Sequence, residues 1–548
     1  MLVAMKKFLK DLSSQLSGEV STAESTRKYF STDGSVFTTT PEVIIYPRNE
    51  VDVVNTVKFL YWRAQEGDPV ALTARGKGTD QGGGALGSGV MLVFPAHMKK
   101  LKSITRDSIT VEPGMIYSNL QQVLHSHGRF LPPYPASIDF CSVGGAVANN
   151  AAGEKTIKYG ATRKWVSSLK VVLCNGDVIQ TRRMNKKELK RKQQQQDMEG
   201  HLYREVDKLI TDNWKLLNDH KLKVSKNSAG YDLWDVKRSD GSFDLCQLII
   251  GSQGTLGVVT EITFGTAPYN PKTTLLAGYF ESIHKAQEAV QQIMPLGPSA
   301  LEVVDHHLLE FLQKNKPEQL VGLVDEPFPK IILLCEFDDL KPKIQSKKVK
   351  RVQSIFNNFA HDQRIAVDQA QEDQLWRVRR GAAAVIWTID SPKKALPIIE
   401  DGAVPVAKLG ELLADADKLF AKYKVEVAIW GHAGDGHLHI QPFLDLANLR
   451  DRSKLFSLTD DFYKLIIKLG GTTCGEHNDG IMRAPYLKDL YGAKVYKLFE
   501  DVKQLFDPLG FLNPGVKLHV TREEAMMKLR REYSMKHLHD QLPASYNH

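Results

Sequence analysis

The segment Ala74–Val90, ARGKGTDQGGGALGSGV, constrains the fold of this chain more than any other. It contains seven glycines and follows a short apolar run, Val70–Thr73, which we predict to be a strand. Glycine tolerates positive φ and lets the backbone approach a ligand closely. Successive free N–H groups in such a turn form an anion-binding concavity. We therefore expect a phosphate or pyrophosphate ligand, and the alternative is a mobile surface loop.

Both ends of this segment are tied to predicted strands, since a second apolar run, Val90–Phe94, follows it. Another cluster of glycine and small residues, Ser142–Gly153, occurs later in the chain. Two familiar phosphate loops do not fit. The glycines have the wrong spacing for the G-x-G-x-x-G fingerprint of dinucleotide-binding folds, and Gly76-Lys77 precedes a glycine instead of the serine or threonine of a P-loop.

The composition is that of a globular enzyme with more than one domain. The 548 residues suffice for two or three domains, and 42% hydrophobic and 25% charged residues are ordinary values. No apolar run approaches the roughly 20 residues that span a bilayer, and we expect residues 1–16 to form a short amphipathic helix. The five scattered cysteines never form C-x-x-C. This pattern indicates a reducing, cytoplasmic compartment and argues against an iron–sulfur cluster in this chain.

The positive charge of the chain is concentrated in one insert. Residues 182–200 carry seven basic and three acidic side chains and so supply half of the net charge of +8. The remainder is nearly balanced, which argues against a nucleic-acid partner. We predict that the insert, with its four consecutive glutamines, is a solvated loop or an exposed helix.

The hydrophobic patterns predict an α+β fold with two parts. The N-terminal part mixes short strands such as Val43–Tyr46 with helices such as one that begins at Asn49. Buried strands are expected at Leu169–Leu173 and Leu245–Ile250, on either side of the basic insert. From about Pro271, longer helical patterns alternate with strands, which indicates a second, substrate-side domain.

Several ordered motifs resemble those of the vanillyl-alcohol oxidase type of flavin-binding domain. Within that type, the chain is similar to the FAD-linked 2-hydroxy acid dehydrogenases: D-lactate dehydrogenase, glycolate oxidase flavin subunit and D-2-hydroxyglutarate dehydrogenase. The resemblance covers about residues 40–516. The family pattern R-G-G-G-T is matched by Arg75-Gly76-Lys77-Gly78-Thr79, and the P-x-S…G-G…N-A-x-G region by Pro135, Ser137, Gly144, Gly145, Asn150 and Gly153. The turn G-S-E-G-T-L-G-I-V-T-E is matched by Gly251–Glu261, with Gln253 in place of glutamate. The closing D-P…N-P-G motif is matched by Asp507–Gly515.

The resemblance implies a two-subdomain PCMH-type FAD-binding domain, an α+β cap domain over the substrate, and a C-terminal segment that returns to the flavin. It divides the chain into a leader (1–40), the FAD-binding domain (41–268), the substrate domain (269–508) and a final segment (509–548). Thr521 and Glu524 form a capping box that opens a predicted helical tail to Leu542. Since the glycine-rich loop has no histidine for covalent attachment, we expect non-covalent FAD. The expected contacts are Arg75, Gly76, Lys77, Gly78, Thr79, Asp80, Pro135, Ser137, Gly144, Gly145, Asn150, Gly153, Tyr159, Gly254, Thr255, Gly257, Val258 and Asn513.

A histidine-rich run, GHAGDGHLHI, contains His432, His437 and His439, and a second run contains Glu476 beside His477. His437 and His439 lie two apart on an expected strand and so face the same side. Two histidines and a carboxylate can bind a divalent metal and leave positions open for substrate. Structural histidines are the alternative explanation.

The resemblance assigns roles to these residues. In metal-containing members of the family, His432, His439 and Glu476 would be the ligands of Zn, Mn or Fe, and His477 the catalytic base. His437 replaces the usual asparagine and could be a further ligand or a residue behind the ligands, and the second motif departs from the family at Asn478. Arg379 matches the family arginine that binds the substrate carboxylate, and guanidinium suits that group. We expect Arg377 and Arg380 to form only a basic helix face.

These assignments imply metal-assisted oxidation of a small D-2-hydroxy acid to the 2-oxo acid by hydride transfer to flavin N5. D-lactate is the first candidate, because the lysine of diacid-selective relatives would align near Ile399; D-2-hydroxyglutarate and glycolate are alternatives. Electrons would pass to a non-NAD acceptor, such as a quinone, a cytochrome or an iron–sulfur or other electron-transfer protein. Peripheral association with the inner membrane face and a homodimer stay open.

Three functions from other classes also stay open. A metal-dependent hydrolase could use the same histidines but would leave the glycine-rich segments unexplained. A flavin transferase, like the alkylglycerone-phosphate synthases, would share the fold but not the histidine and glutamate motifs. A nucleic-acid or membrane-surface binder would depend on residues 182–200.

Overall fold

The computed structural model of the chain describes residues 2–388 and 391–535, in which helices and strands are mixed throughout. The strands are β1 (Glu19–Ser21), β2 (Val43–Tyr46), β3 (Leu72–Arg75), β4 (Val90–Val93), β5 (Leu101–Ile104), β6 (Ser108–Val111), β7 (Arg129–Phe130), β8 (Val166–Val172), β9 (Val178–Arg182), β10 (Val258–Gly265), β11 (Ala267–Pro268), β12 (Thr274–Phe280), β13 (Ala300–Asp305), β14 (Ile331–Phe337), β15 (Asp362–Ile365), β16 (Lys394–Ala395), β17 (Gly402–Ala403), β18 (Val427–His432) and β19 (His437–Leu444).

The helices of the described residues are α1 (Leu2–Ser13), α2 (Glu24–Tyr29), α3 (Glu50–Gln65), α4 (Tyr117–Ser126), α5 (Val143–Asn149), α6 (Thr156–Tyr159), α7 (Lys186–Gln193), α8 (Met198–Asp212), α9 (Trp214–Asp219), α10 (Cys246–Ile249), α11 (Ile283–Ile293), α12 (His306–Asn315), α13 (Pro342–Phe359), α14 (Gln369–Thr388), α15 (Leu409–Tyr423), α16 (Leu449–Lys468), α17 (Leu487–Phe506) and α18 (Arg522–Met527). Across residues 2–388 and 391–535, no helix combines the length and the apolar character needed to cross a membrane.

Two sheets organise the N-terminal part. The first has the order β1-β2-β4-β3, with β2 and β3 parallel to β4 and β1 antiparallel to β2. The second is antiparallel, with the order β5-β6-β10-β8-β9. Along β10, buried and partly exposed residues alternate, as expected for a strand with one face on a core. The glycine-rich segment joins β3 to β4 and so leaves and re-enters the first sheet.

A larger sheet organises the C-terminal part. Its order is β15-β12-β14-β13-β18-β19-β16, and β17 pairs with β19. Every residue of β14 and β13 is buried, because helices cover the sheet and these strands lie at its centre. The mixture of helix and sheet confirms the predicted α+β class.

Most of the predicted local elements are present. Asn49 caps α3, since its Oδ1 accepts a hydrogen bond of 3.1 Å from the Asp52 N–H. The predicted strand Val70–Thr73 occurs slightly later, as β3, and the basic insert forms the exposed helix α7 and the start of α8. The order of these elements follows the sequence patterns closely.

Two predictions of secondary structure were wrong. Leu245–Ile250 is a helical turn, α10, and not a strand; Asp244 accepts a hydrogen bond of 3.1 Å from the Cys246 N–H at its start. A short apolar run without periodicity does not distinguish a buried strand from a buried helix. The tail helix α18 has the predicted capping box but ends at Met527, and residues 536–542 of the predicted helix lie outside the described residues.

Candidate active site

A cavity with an empty volume of about 830 Å³, including its opening, runs along the glycine-rich segment. The segment itself, the start of α5 and the turn before β10 form its walls. We call this cavity the glycine cradle. Ten of the residues predicted to bind the cofactor line it: Arg75, Gly76, Lys77, Gly78, Thr79, Asp80, Gly144, Gly145, Gly254 and Gly257.

Asp80 joins the segments that form the cradle. Its Oδ1 accepts hydrogen bonds from the N–H groups of Gly82 (2.7 Å) and Gly84 (2.9 Å). Its Oδ2 accepts from Asn149 Nδ2 at 2.7 Å and from Gln253 Nε2 at 3.2 Å. One carboxylate therefore fixes the shape of the glycine loop and ties it to two further walls. Gln253 stands where the family pattern has glutamate, and its amide donates to Asp80, which a glutamate could not do when ionised.

At some cradle positions only glycine fits because neighbouring atoms are too close for a Cβ. At another, a Cβ would project into the cavity. A Cβ on Gly76 would lie 2.2 Å from Ser142 Oγ, and a Cβ on Gly144 would lie 2.6 Å from the Cβ of Pro113. A Cβ on Gly145 would meet only Ser142 Oγ, at 3.3 Å. Gly145 thus faces free space inside the cradle, where a side chain would obstruct a ligand. The walls fit a large cofactor with a pyrophosphate, such as FAD.

Arg75 supports the loop from below. Its buried guanidinium donates hydrogen bonds to the carbonyl oxygens of Thr32 (2.7 Å) and Ala85 (3.2 Å) and stacks near the ring of Phe30. A Cβ on Gly78 would lie 2.2 Å from Arg75 Nη2, so the loop lies directly against this side chain. A direct contact between the Arg75 guanidinium and the cofactor stays a prediction.

The other predicted cofactor residues do not line the cradle: Pro135, Ser137, Asn150, Gly153, Tyr159, Thr255, Val258 and Asn513. One of them, Asn513, supports its walls. Asn513 Nδ2 donates to the carbonyl oxygens of Gln253 (2.7 Å) and Gly84 (2.9 Å), which ties the closing motif to the cradle. The Tyr159 hydroxyl donates to Asp338 Oδ2 at 3.0 Å, towards the C-terminal part. Whether these residues also contact the cofactor stays a prediction.

The hairpin β18–β19 brings three histidines together. His432 pairs with His437 across the hairpin, and Trp430 pairs with His439. The connecting turn is possible because Gly436 adopts a φ of +62°. His439 Nε2 lies 3.4 Å from His432 Nε2, and Glu476 Oε1 lies 3.3 Å from His432 Nε2 and 3.2 Å from His439 Nε2. All four side chains are buried, and one donor atom from each lies within 4.8 Å of the others.

In His432 and His439, the ring nitrogen outside the cluster, Nδ1, contacts a further acceptor. His432 Nδ1 lies 2.8 Å from Glu302 Oε1, and His439 Nδ1 lies 2.9 Å from the Glu400 carbonyl oxygen. Outer partners of this kind fix ring orientation and tautomer in metal sites. The arrangement of donors therefore fits a divalent transition metal such as Zn, Mn or Fe, and His432, His439 and Glu476 are brought together as predicted.

Lys226 is a member of the site that the sequence did not reveal. It is fully buried, its Nζ lies 2.8 Å from Glu476 Oε2, and Asp435 Oδ2 is 3.7 Å away. Burial opposes ionisation of Glu476, but Lys226 and His432 outweigh it and hold the pKa of that carboxyl well below its usual range. Glu476 is therefore an anionic ligand candidate in the absence of any metal.

His477 lies beside this cluster, with a ring stacked on that of His439 at 5.2 Å. Its Nδ1 contacts Glu400 Oε2, and its Nε2 faces Glu476 Oε1 at 3.7 Å. Although burial opposes protonation, Glu400 and Asp401 raise the pKa of His477 to about 9. Arg483, fully buried, binds the other oxygen of Glu400 at 2.8 Å. The predicted base is thus oriented by a buried carboxylate.

Arg379 reaches the same site from α14. Its Nε and Nη2 lie 2.8 and 2.7 Å from Glu302 Oε2, and the other oxygen of Glu302 contacts His432. One buried glutamate thus connects the predicted carboxylate clamp to the predicted metal ligands. Arg380 instead pairs with Glu154 at 2.6 Å and lies over the ring of Trp376, which agrees with the helix-face role expected for it.

The two predicted sites are joined by the residue after His477. The Asn478 side chain donates to the carbonyl oxygens of Gly251 (2.9 Å) and Asn149 (3.1 Å), and Asn149 lines the cradle. Next to it, the Gly480 N–H donates to Gln253 Oε1 at 2.9 Å. The departure from the family motif at Asn478 is therefore a connection between the base and the cradle.

Sequence reasoning missed Lys226, Glu302, Glu400, Asp401 and Arg483. The adjacent acidic pair at 400 and 401, directly after the apolar run 395–399, is a signal that could have been used, since buried carboxylates are rare without partners. Lys226 and Glu302 have no local signal.

Comparison with known proteins agrees with this geometry. A model of an FAD binding domain matches residues 41–182, and a model of the C-terminal domain of FAD linked oxidases matches residues 270–516. The glycolate oxidase subunit GlcD of Bacillus subtilis is 29% identical over 486 residues, which are 87% of this chain and 88% of that protein. The D-lactate dehydrogenase of Archaeoglobus fulgidus is 26% identical over 86% of this chain and 90% of its own length.

The D-2-hydroxyglutarate dehydrogenase of Escherichia coli is 25% identical over 93% of this chain, but the chain spans only 51% of that protein. Among solved structures, 4-ethylphenol oxidase from Gulosibacter chungangensis has a TM-score of 0.67 at 18% identity and covers 95% of this chain, with 98% of its own length matched. At that identity, the likeness establishes the fold alone. This chain therefore belongs to the FAD-linked 2-hydroxy acid dehydrogenase and oxidase family, with an FAD-binding domain of the vanillyl-alcohol oxidase type.

Proposed function

We propose that this protein oxidises a small D-2-hydroxy acid to the 2-oxo acid with FAD as the electron acceptor, and that D-lactate is the first substrate to test. The observation that supports this most is the short connection between the histidine cluster and the cradle. Asn478 follows His477 directly, and its side-chain amide donates a hydrogen bond of 3.1 Å to the carbonyl oxygen of Asn149 in the cradle wall. A small acid between the two sites would reach both a base and a flavin.

His477 is suited to accept the hydroxyl proton of the substrate at Nε2. Its Nδ1 is held by Glu400, so the ring is fixed with Nε2 directed towards Glu476 and the histidine cluster. The neutral imidazole accepts a proton, and the pKa of about 9 for His477 places this role towards higher pH. Loss of this proton and of the C2 hydride converts the alcohol into the carbonyl of the 2-oxo acid.

Arg379 is suited to hold the substrate carboxylate. Glu302 contacts Arg379 at Nε and Nη2, and a guanidinium has five N–H donors, so further donors can bind a second carboxylate. Glu302 also limits where the guanidinium can point, because its other oxygen is fixed by His432. Arg379 would therefore orient C2 as well as bind the acid.

FAD and a divalent metal would supply the remaining chemistry when bound. Bound FAD would accept the hydride at N5, and a divalent metal held by His432, His439 and Glu476 would lower the pKa of the substrate hydroxyl. The protein holds FAD without a covalent bond in this proposal.

Ile399 supports a small monoacid as the substrate. It is fully buried in the apolar core, so the position where diacid-selective relatives carry a lysine provides no cation here. Glycolate and D-2-hydroxyglutarate are the alternatives within the same chemistry. We also propose that the domains divide at residues 268 and 508. We propose that the electrons pass to a quinone, a cytochrome or an iron–sulfur or other electron-transfer protein.

The test is anaerobic flavin reduction. The visible spectrum of the purified, FAD-loaded protein is recorded before and after the addition of D-lactate, L-lactate, glycolate or D-2-hydroxyglutarate. We expect D-lactate to bleach the flavin bands fastest. His477→Asn should abolish reduction while FAD stays bound, and His519→Asn, a change of an exposed histidine, should leave it intact.

Three results would count against the proposal. Reduction by D-2-hydroxyglutarate alone would move the substrate assignment to the diacid. Unchanged reduction in His477→Asn would remove the base assignment. A protein that takes up no FAD but hydrolyses esters or amides would favour the metal-dependent hydrolase.

A further inference from the structure

We propose that His437 is a fourth protein ligand of the metal and binds it through Nδ1, so that three imidazoles and one carboxylate surround the ion. The inference rests on the metal site of the proposed function, which involves His432, His439 and Glu476 alone. It predicts a site with a higher metal affinity and a different coordination from one built on two histidines.

The hairpin places His437 within reach. It lies directly opposite His432 in the register of β18 and β19, and its ring centroid is 5.3 Å from that of His432 and 4.7 Å from that of His439. Its Nδ1 lies 3.9 Å from Glu476 Oε2, and one nitrogen of its ring belongs to the group of donor atoms within 4.8 Å of one another. The four side chains therefore lie close enough for small side-chain movements to bring them to one ion.

The hydrogen bonds of Asp401 determine the tautomer of His437. Asp401 Oδ1 accepts from the backbone N–H of Glu476 at 3.0 Å, and Oδ2 accepts from the backbone N–H of His477 at 2.8 Å. His437 Nε2 lies 3.0 Å from Asp401 Oδ1. Since this carboxylate acts as an acceptor, Nε2 carries the hydrogen, and Nδ1 is left with a free lone pair directed at the cluster.

No described residue donates a hydrogen bond to that lone pair. The His437 side chain is completely buried, and its Nδ1 has no hydrogen-bond partner among the described residues. The nearest carboxylate oxygen, Glu476 Oε2, is 3.9 Å away and is engaged by Lys226. A buried polar atom without a partner is uncommon and calls for a ligand. A metal ion between the three rings and Glu476 satisfies this nitrogen and the Nε2 atoms of His432 and His439 together.

Donor type and number indicate which ion is bound. Imidazole nitrogens favour Zn²⁺, Co²⁺, Fe²⁺ and Ni²⁺ over Mg²⁺ and Ca²⁺, which prefer oxygen. Four protein ligands complete the tetrahedral set that Zn²⁺ prefers, and substrate would then add as a fifth ligand. Two imidazoles and one carboxylate would leave an open position without such a change.

The test is metal binding by the FAD-loaded protein after chelator treatment. Zn²⁺ affinity is measured by competition with a chromogenic chelator, and ligand-field bands of the Co²⁺ form are recorded at wavelengths beyond the flavin absorption. X-ray absorption of the Zn²⁺ form counts the imidazole ligands. We compare the wild type with His437→Asn and with His519→Asn, an exposed histidine that serves as the matched control.

We expect His437→Asn to weaken Zn²⁺ binding at least tenfold, to reduce the imidazole count from three to two and to change the Co²⁺ bands, while FAD content stays at the wild-type level. His519→Asn should match the wild type in all measurements. Equal affinity and an equal imidazole count in His437→Asn would overturn the inference, as would a wild-type protein that binds neither Zn²⁺ nor Co²⁺. Flavin reduction by D-lactate is followed in the same preparations, so a failure of the proposed function is seen separately.

Discussion

The Nδ1 of His477 lies 2.5 Å from the Oε2 of Glu400, and Glu400 is buried with no exposed surface. This contact fixes the proposed base and raises its affinity for a proton. Burial alone would lower the pKa of His477, but the carboxylates of Glu400 and Asp401 raise it to about 9. A base must be neutral to accept a proton, so the carboxylate that orients the ring also shifts its working range to higher pH.

Glu400→Gln should move the pH profile of flavin reduction to lower pH. The amide retains the shape and an acceptor for Arg483 but no longer stabilises the imidazolium, so the pKa of His477 falls. We expect the rising limb of the rate profile to shift by about one pH unit or more, equivalent to about 1.4 kcal/mol of charge interaction per unit. Stopped-flow flavin reduction as a function of pH measures this shift. Glu411→Gln, which removes an exposed carboxylate, is the control, and an unshifted limb would show that Glu400 does not tune the base.

Gly145→Ala should separate FAD binding from folding. The added Cβ meets only Ser142 Oγ at 3.3 Å in the free protein, and alanine is the better helix former within α5 by up to about 1 kcal/mol. The methyl group projects into the cradle, so we expect FAD affinity to fall at least tenfold while the apo protein melts no earlier than wild type. Fluorescence titration with FAD and thermal unfolding of the apo form measure the two effects.

Gly410→Ala is the matched control for that change. Gly410 lies near the start of α15, and a Cβ there would make ordinary contacts no closer than 3.6 Å. It should leave FAD affinity unaltered. A Gly145→Ala protein that binds FAD as the wild type does would show that the pyrophosphate or ring system lies elsewhere.

The elements that the sequence predicted correctly are those with a local signal. The N-cap at Asn49, the capping box at Thr521 and the strand Val43–Tyr46 depend on residues within a few positions of each other. The apolar run 245–250 has no such periodicity, and its helical turn is decided by tertiary packing. Length and hydrophobicity could not distinguish the two outcomes.

The residues of the candidate site also differ in whether a local sequence pattern predicts them. His432, His437 and His439 fall in one hairpin, so their spacing alone indicated a shared face. Glu302 comes from a strand 130 residues before His432, and Lys226 lies 250 residues from Glu476. Contacts over such separations are created by sheet order and domain packing, which no local pattern encodes. The charge balance of the site was therefore not predictable from its motifs.

Asp33→Asn should stabilise the protein at neutral pH. Asp33 lies fully buried beneath the glycine loop; burial, followed by the charge of Asp80, raises the pKa of Asp33 to about 6. Because the folded-state pKa is above the unfolded value of about 4, the ionisation of Asp33 costs no stability below about pH 4. The cost grows as the pH rises from there and is complete above the folded-state pKa of about 6. Asparagine keeps the acceptor for Ser35 and removes the buried charge.

The expected gain for Asp33→Asn is on the order of 2–3 kcal/mol in the free energy of unfolding at pH 7.5, from about 1.4 kcal/mol per pKa unit. It should shrink towards zero as the pH falls to the unfolded pKa of an aspartate, about 4. Chemical denaturation of the apo protein at several pH values measures it. A gain that is absent at pH 7.5, or that is constant with pH, would show that the Asp33 charge is compensated by Arg75 and Arg530.

Lys226→Met should destabilise the protein strongly at neutral pH and less in acid. Lys226 is fully buried against Glu476 and Asp435, and breaking a buried pair by removing one partner typically costs about 3–5 kcal/mol. The lowered pKa of Glu476 means that the pair stabilises the fold above the unfolded pKa of a glutamate and ceases to do so as the pH falls through the folded value. Without Lys226, Glu476 protonates more readily, so the difference from wild type should narrow as the pH falls. Lys215→Met, at an exposed position, is the control.

A divalent metal should restore part of the lost stability of Lys226→Met, because an ion bound to Glu476 replaces the missing positive charge. Thermal unfolding with and without Zn²⁺ tests this, and equal stabilisation of both proteins by Zn²⁺ would show that the ion does not contact Glu476.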